Sequence, residues 1–198
     1  MDNRLKGILF ITAFVLIASR LKGSAASVPS SNKLYLIDRV DLNRESFSKK
    51  IIEISNELGF NPNWLMATID LESGFDHTIE NSLGYTGLIQ FGETARNQLN
   101  VTKYELKNMS NVAQLDYVKR YFQNSGKLSM IKEFIDVYLC VFFPAAVGKP
   151  SGYIFESSKL TAKRVYDANP LFQDGTGKIK KYNVRNVLES RYSNIPKF

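Results

Sequence analysis

IDLESGFDHTIENSLGYTGLIQF, Ile69 to Phe91, sets one glutamate at the end of an oily helix pattern and follows it with a glycine-punctuated loop. Working backwards, Asn61-Pro62 supplies an N-cap and a first-turn proline, and Gly74 supplies a stop. The spacing predicts a helix from Pro62 to the residues just before Gly74. On it, Leu65, Thr68 and Ile69 precede Glu72 by seven, four and three residues, so Glu72 shares a largely apolar face. Asp70 falls on another face. A carboxyl on an apolar face loses hydration, and a helix C-terminus opposes negative charge. Both favour a carboxylic acid that keeps its proton near neutral pH, as protonation of a glycosidic oxygen requires. The same letters also fit a solvated glutamate at a frayed helix end.

Downstream of Glu72-Ser73, Asn81 to Phe91 reads as a loop or short hairpin, glycine-rich and then β-branched. Glu93 to Leu99 and Lys103 to Asn108 read as short helices. Asn111 to Asn124 is amphipathic, with Val112, Leu115, Val118 and Phe122 in phase. KLSMIKEFIDVYLCVFF, Lys127 to Phe143, is apolar nearly all round and reads as a central buried helix ended by Pro144. Upstream, Phe47, Ile51, Ile54 and Leu58 form one face of a helix that stops at Gly59. Helices at Leu160 to Ala168 and Val184 to Tyr192 complete a mostly α-helical expectation.

The chain has 198 residues, which suits one domain behind an N-terminal extension. Residues 1–26 carry Arg4 and Lys6, an apolar run from Gly7 to Ala18, and small residues at Ser24 and Ala26. That is a signal peptide or a membrane anchor. The short run favours cleavage, while Arg20 and Lys22 fit snorkelling at a membrane face. Either way the segment addresses the cell envelope, with the membrane as its partner. Residues 27–42 are expected to be a linker, and 43–198 the domain.

The formal net charge of +7 suits an anionic partner such as a cell-wall polymer or an anionic membrane. No basic run interleaved with aromatics forms a nucleic-acid motif, so no nucleic-acid partner is expected. One cysteine, Cys140, and one histidine, His77, exclude an intrachain disulfide and a multi-histidine or cysteine metal cluster. No cofactor or metal is expected. Asp167, Asn169 and Asp174 faintly suggest a calcium loop, but its glycine and terminal glutamate are out of place, so a polar turn is expected.

Glu72-Ser73, then Gly84-Tyr85-Thr86-Gly87-Leu88-Ile89-Gln90-Phe91 and Thr94-Ala95, resembles the signature of the lytic transglycosylases of the soluble, goose-lysozyme-like type. The resemblance runs over roughly Phe47 to Pro150. It implies a lysozyme-like helical domain that cleaves peptidoglycan strands between N-acetylmuramic acid and N-acetylglucosamine, with Glu72 as the single general acid and base. It further implies substrate contacts from Ser73, Asn81, Gly84, Tyr85, Gly87, Gln90 and Phe142. Asn81 replaces the serine usual in the family. Phe142-Phe143-Pro144-Ala145 aligns with the family's Tyr-Asn-Ala-Gly, so a site tyrosine is missing, with Tyr138, Tyr117 and Tyr121 as replacements. The pattern is similar to phage-encoded or mobile-element members, which would place the protein in the envelope or on a virion. A muramidase, with Asp76 or Glu80 as second acid, and a non-catalytic glycan-binding protein are the rival readings.

Overall fold

The computed structural model describes residues 34–197. The expected leader lies outside the described residues. The fold is mostly helical, with isolated β-bridges in place of extended strands among the described residues. Helix α1 spans Arg44–Leu58 and ends at Gly59; α2 spans Pro62–Ser73. Then come α3, Glu93–Leu99; α4, Lys103–Asn108; and α5, Asn111–Asn124. Helix α6 spans Phe134–Phe142, α7 Ala162–Ala168 and α8 Lys181–Arg191.

Helix α2 starts where local chemistry dictates. The Asn61 side chain accepts from the Asn63 N–H at 2.9 Å, Pro62 occupies the first turn, and Gly74 takes the left-handed conformation at φ 60° that ends the helix. Both neighbours, α1 and α6, pack directly on α2. Eight of the first ten residues of α2 line the interior, from Trp64 to Leu71. Leu65, Met66 and Ile69 from α2 join Phe47, Ile51 and Ile54 from α1 and eight of the nine residues of α6 in one core. Burying each large aliphatic side chain stabilises the fold by about 1.5–3 kcal/mol.

Two expectations are corrected. The helix expected from Lys127 begins only at Phe134; Leu128–Met130 is a 3₁₀ turn. The cause is Asp136, whose Oδ2 accepts from the Lys132 N–H at 3.1 Å and bends the chain back before the helix. Its Oδ1 meets the buried Lys181 Nζ at 2.9 Å, which pins α6 to α8. Arg185 adds a forked pair to Glu133, at 2.6 and 2.7 Å. The second correction concerns the linker. Its last part belongs to the domain, because Leu34, Ile37 and Val40 are buried in the core. Arg39 pairs there with Asp70, and the Tyr35 N–H donates to Asn63 Oδ1 at 2.7 Å.

Candidate active site

Glu72 occupies the last turn of α2, one residue before its end. It keeps a partly exposed edge, yet protein packs densely around its carboxyl; the two coexist when a group sits in a concave floor. Among the described residues no group donates a hydrogen bond to this carboxyl and no cation pairs with it. Burial alone therefore pushes its pKa up, to about 8. Asp70, two residues earlier, shows the contrast. It is buried as well, but Arg39 pairs with it and the Tyr192 hydroxyl donates to it at 2.8 Å. One α2 carboxyl has a cation and a hydroxyl beside it, and the other has neither.

The loop after α2 is fastened to it by the neighbour of Glu72. Ser73 is buried, and its hydroxyl lies 2.9 Å from the Leu88 carbonyl and 3.1 Å from the Ile69 carbonyl. Ser73 thus acts as a clasp, turned away from solvent. Thr86 bridges to both Glu80 and Phe91, which makes the expected hairpin a pair of single bridges. Asn81 closes the turn: its Oδ1 accepts from the N–H groups of Leu83, at 2.9 Å, and Tyr85, at 3.1 Å. The backbone is bent hard here. Phe75 and Gln90, neither a glycine, sit at φ 71° and 51°.

Two residues without an assigned role at the sequence level hold this loop. Gln114 of α5 is buried. Its Oε1 accepts from the Leu88 N–H at 3.0 Å, and its Nε2 donates to the carbonyls of His77 at 2.6 Å and Leu106 at 2.7 Å. Gly87, at φ 80°, is required by this brace, because a Cβ there would lie 2.5 Å from the Gln114 oxygen. Arg96 of α3 donates to the carbonyls of Gly84 at 2.9 Å and Phe91 at 2.6 Å, tying both ends of the loop. Gln114 left a signal: it flanks the apolar stripe of α5 four residues before Val118, where a polar side chain has to find buried partners.

Beside the loop lies a small groove. Tyr85, Gln90, Thr94 and Tyr121 line it over an apolar floor of Ile89, Phe91, Ala95 and Val141. Gln90 turns its Nε2 to the Gly87 carbonyl at 3.1 Å. Burial, with smaller contributions from Cys140 and Glu72, raises the pKa of Tyr121. Its hydroxyl donates to the Cys140 carbonyl at 2.9 Å. Comparison with protein-family models, curated proteins and solved structures finds no match for this chain. The site has to be read from its own geometry.

On that geometry, Tyr85, Gln90 and Tyr121 line one groove, with Ser73, Gly84 and Gly87 in the loop framework, and Glu72 stands at the end of α2 next to Ser73. Phe142 is not among them. It is 1% exposed and stacked on Tyr138, with ring centroids 5.4 Å apart, so the contact with substrate expected of it is corrected to a core role. Asn81 serves the turn. The Tyr117 ring lies under Arg120. Asp76 accepts from the Thr78 N–H and hydroxyl, at 2.8 and 2.7 Å, in a local turn. Glu80 is paired with Lys103 and Lys107, and hydrogen bonds from these two hold its pKa below the usual carboxylate value. Asp174 receives Thr176 and Asn183, as a polar turn should. Cys140 is buried, which pushes its thiol up to about 12 and leaves it inert at neutral pH.

Proposed function

We propose that this chain is a lytic transglycosylase with a lysozyme-like fold, acting on the glycan strands of peptidoglycan. One observation carries the reading: burial raises the pKa of the Glu72 carboxyl to about 8, with no ion partner among the described residues, and its neighbour Ser73 ties α2 to the loop whose Tyr85 and Gln90 line the groove. Glu72 gives its proton to the oxygen between N-acetylmuramic acid and N-acetylglucosamine as the C1–O bond breaks. The N-acetyl group of the substrate supports the cation that develops at C1. The Glu72 carboxylate then takes the proton of the C6 hydroxyl of the same sugar, and O6 closes onto C1 as a 1,6-anhydro ring. The proton returns to Glu72 and no water is consumed.

The alternative, hydrolysis with two carboxylates, requires a second free acid facing the sugar. The three nearest in sequence are engaged elsewhere, Asp70 with Arg39 and the Tyr192 hydroxyl, Asp76 in its turn and Glu80 with two lysines. That favours the single-carboxylate route. An N-terminal leader that addresses the envelope would bring the enzyme to its substrate, and the basic charge suits an anionic wall.

The test is mass spectrometry of the muropeptides released from purified peptidoglycan. Anhydro-muramoyl ends, one water lighter than hydrolysis products, are expected, and Glu72→Gln should release almost nothing. Reducing ends from the wild type, or undiminished release by the variant, would overturn the proposal.

A further inference from the structure

Gly92 opens α3, and nothing about its backbone calls for a glycine. It is the N-cap of that helix at φ −74° and ψ 168°, an extended conformation that any residue adopts. Serine, threonine, aspartate or asparagine would add a side-chain bond to the first helical turn, and here that bond is missing. The next two helices carry one, with Thr102 capping α4 and Ser110 capping α5. Space, not conformation, explains the exception. A Cβ on Gly92 would lie 2.7 Å from Cε1 of Tyr85 and 3.2 Å from both Cδ1 and Cζ. The near-equal distances to three adjacent ring atoms put that position over the face of the ring rather than beside its edge. The two backbones are held at a fixed separation. Arg96 donates to the carbonyl just before each residue, that of Gly84 at 2.9 Å and that of Phe91 at 2.6 Å. Thr86 and Phe91, their chain neighbours, exchange backbone hydrogen bonds in both directions, at 2.8 and 3.3 Å. With both chains pinned, a side chain at position 92 has to move the ring. Tyr85 and Gly92 both line the groove that Gln90, Thr94 and Tyr121 share, so moving the ring reshapes the groove.

We infer that Gly92 is a positioning residue: its missing side chain is the seat on which the Tyr85 ring rests as a wall of the groove, so position 92 sets the shape of the site that receives the glycan. The chain gives up a helix cap at this position and gains a fixed aromatic wall. The inference rests on the proposed function for what the groove holds; the seat itself does not depend on it. Gly92 acts on binding rather than on proton transfer. Glu72 stands on α2, and the Ser73 clasp and the Arg96 tie both remain when residue 92 changes.

The test starts with NMR of the full chain. The Gly92 α-proton that faces the ring should resonate upfield of ordinary glycines, and Tyr85→Leu should return it to the usual range. Gly92→Ser then separates space from capping. In the wild-type background it should lower the melting temperature, because the ring is displaced. In the Tyr85→Ala background it should raise the melting temperature, because the new hydroxyl caps α3 unopposed. On soluble peptidoglycan strands, Gly92→Ser should raise KM about fivefold or more and leave kcat within about twofold. Added to Tyr85→Ala, the same substitution should leave KM where Tyr85→Ala has put it. A Gly92 α-proton that ignores Tyr85→Leu, or an effect of Gly92→Ser equal in size and sign with and without the ring, would overturn the assignment. If wild-type protein releases no anhydro products, the functional reading fails, while the α-proton shift and the melting temperatures still decide the seat.

Discussion

Replacing Glu72 by glutamine should make the protein more stable at neutral pH and leave it unchanged in acid. The wild-type carboxyl titrates at about 8 in the folded chain, against 4.5 for the free group. Between these values the folded state holds one proton more than the unfolded state. Native stability therefore falls as pH rises, by about 1.4 kcal/mol per pH unit, starting at the unfolded pKa and levelling off above the folded one. From pH 4.5 to 7 this accumulates to roughly 3.4 kcal/mol as an upper bound. The partly exposed edge of Glu72 lets water share the charge, which brings the expected loss to ~1–2 kcal/mol. Glutamine has the same shape, carries no charge at any pH and escapes the loss. Urea unfolding of both proteins at pH 4 and pH 7 measures it. With a slope near ~2 kcal/mol per molar urea, the variant midpoint should gain ~0.5–1 M on the wild type between the two pH values. A difference that stays flat from pH 4 to 7 would mean that Glu72 is an ordinary solvated carboxylate, and the acid–base argument would fall with it.

The framework behind the acid gives three further expectations. Ser73→Ala removes the clasp between α2 and the Leu88 carbonyl; it should cost ~1 kcal/mol in urea unfolding and lower kcat more than it raises KM. Gln114→Leu leaves the Leu88 N–H and the carbonyls of His77 and Leu106 without their partner; a loss of ~3 kcal/mol is expected, with faster amide exchange confined to residues 77–91. Gly87→Ala puts a Cβ into the Gln114 oxygen at a positive φ; a melting-temperature drop matching ~2 kcal/mol or more is expected, and the double variant with Gln114→Ala should recover part of it.

Much of this protein is written locally. Asn61, Pro62 and Gly74 bound α2 because a cap, a first-turn proline and a left-handed glycine act within a few residues of chain. The five helices from Arg44 to Asn124 follow from periodicity and caps in the same way. So does the position of Glu72 on an apolar face, since 3.6 residues per turn fixes which neighbours share it. The tertiary structure decided what no local rule contains, namely which surfaces meet. Asp136 shortens α6 because Lys181, 45 residues away, waits for its other oxygen. Leu34 to Val40 join the core because α2 offers Asp70 and Asn63 to that segment. Phe142 turns inward because Phe155 and Phe172 arrive from the C-terminal third of the chain. Most consequential is the contrast along α2. Asp70 and Glu72 differ by one carbon and two positions, and only the tertiary structure brings Arg39 and Tyr192 to the first and no cation to the second, where burial then raises the carboxyl pKa.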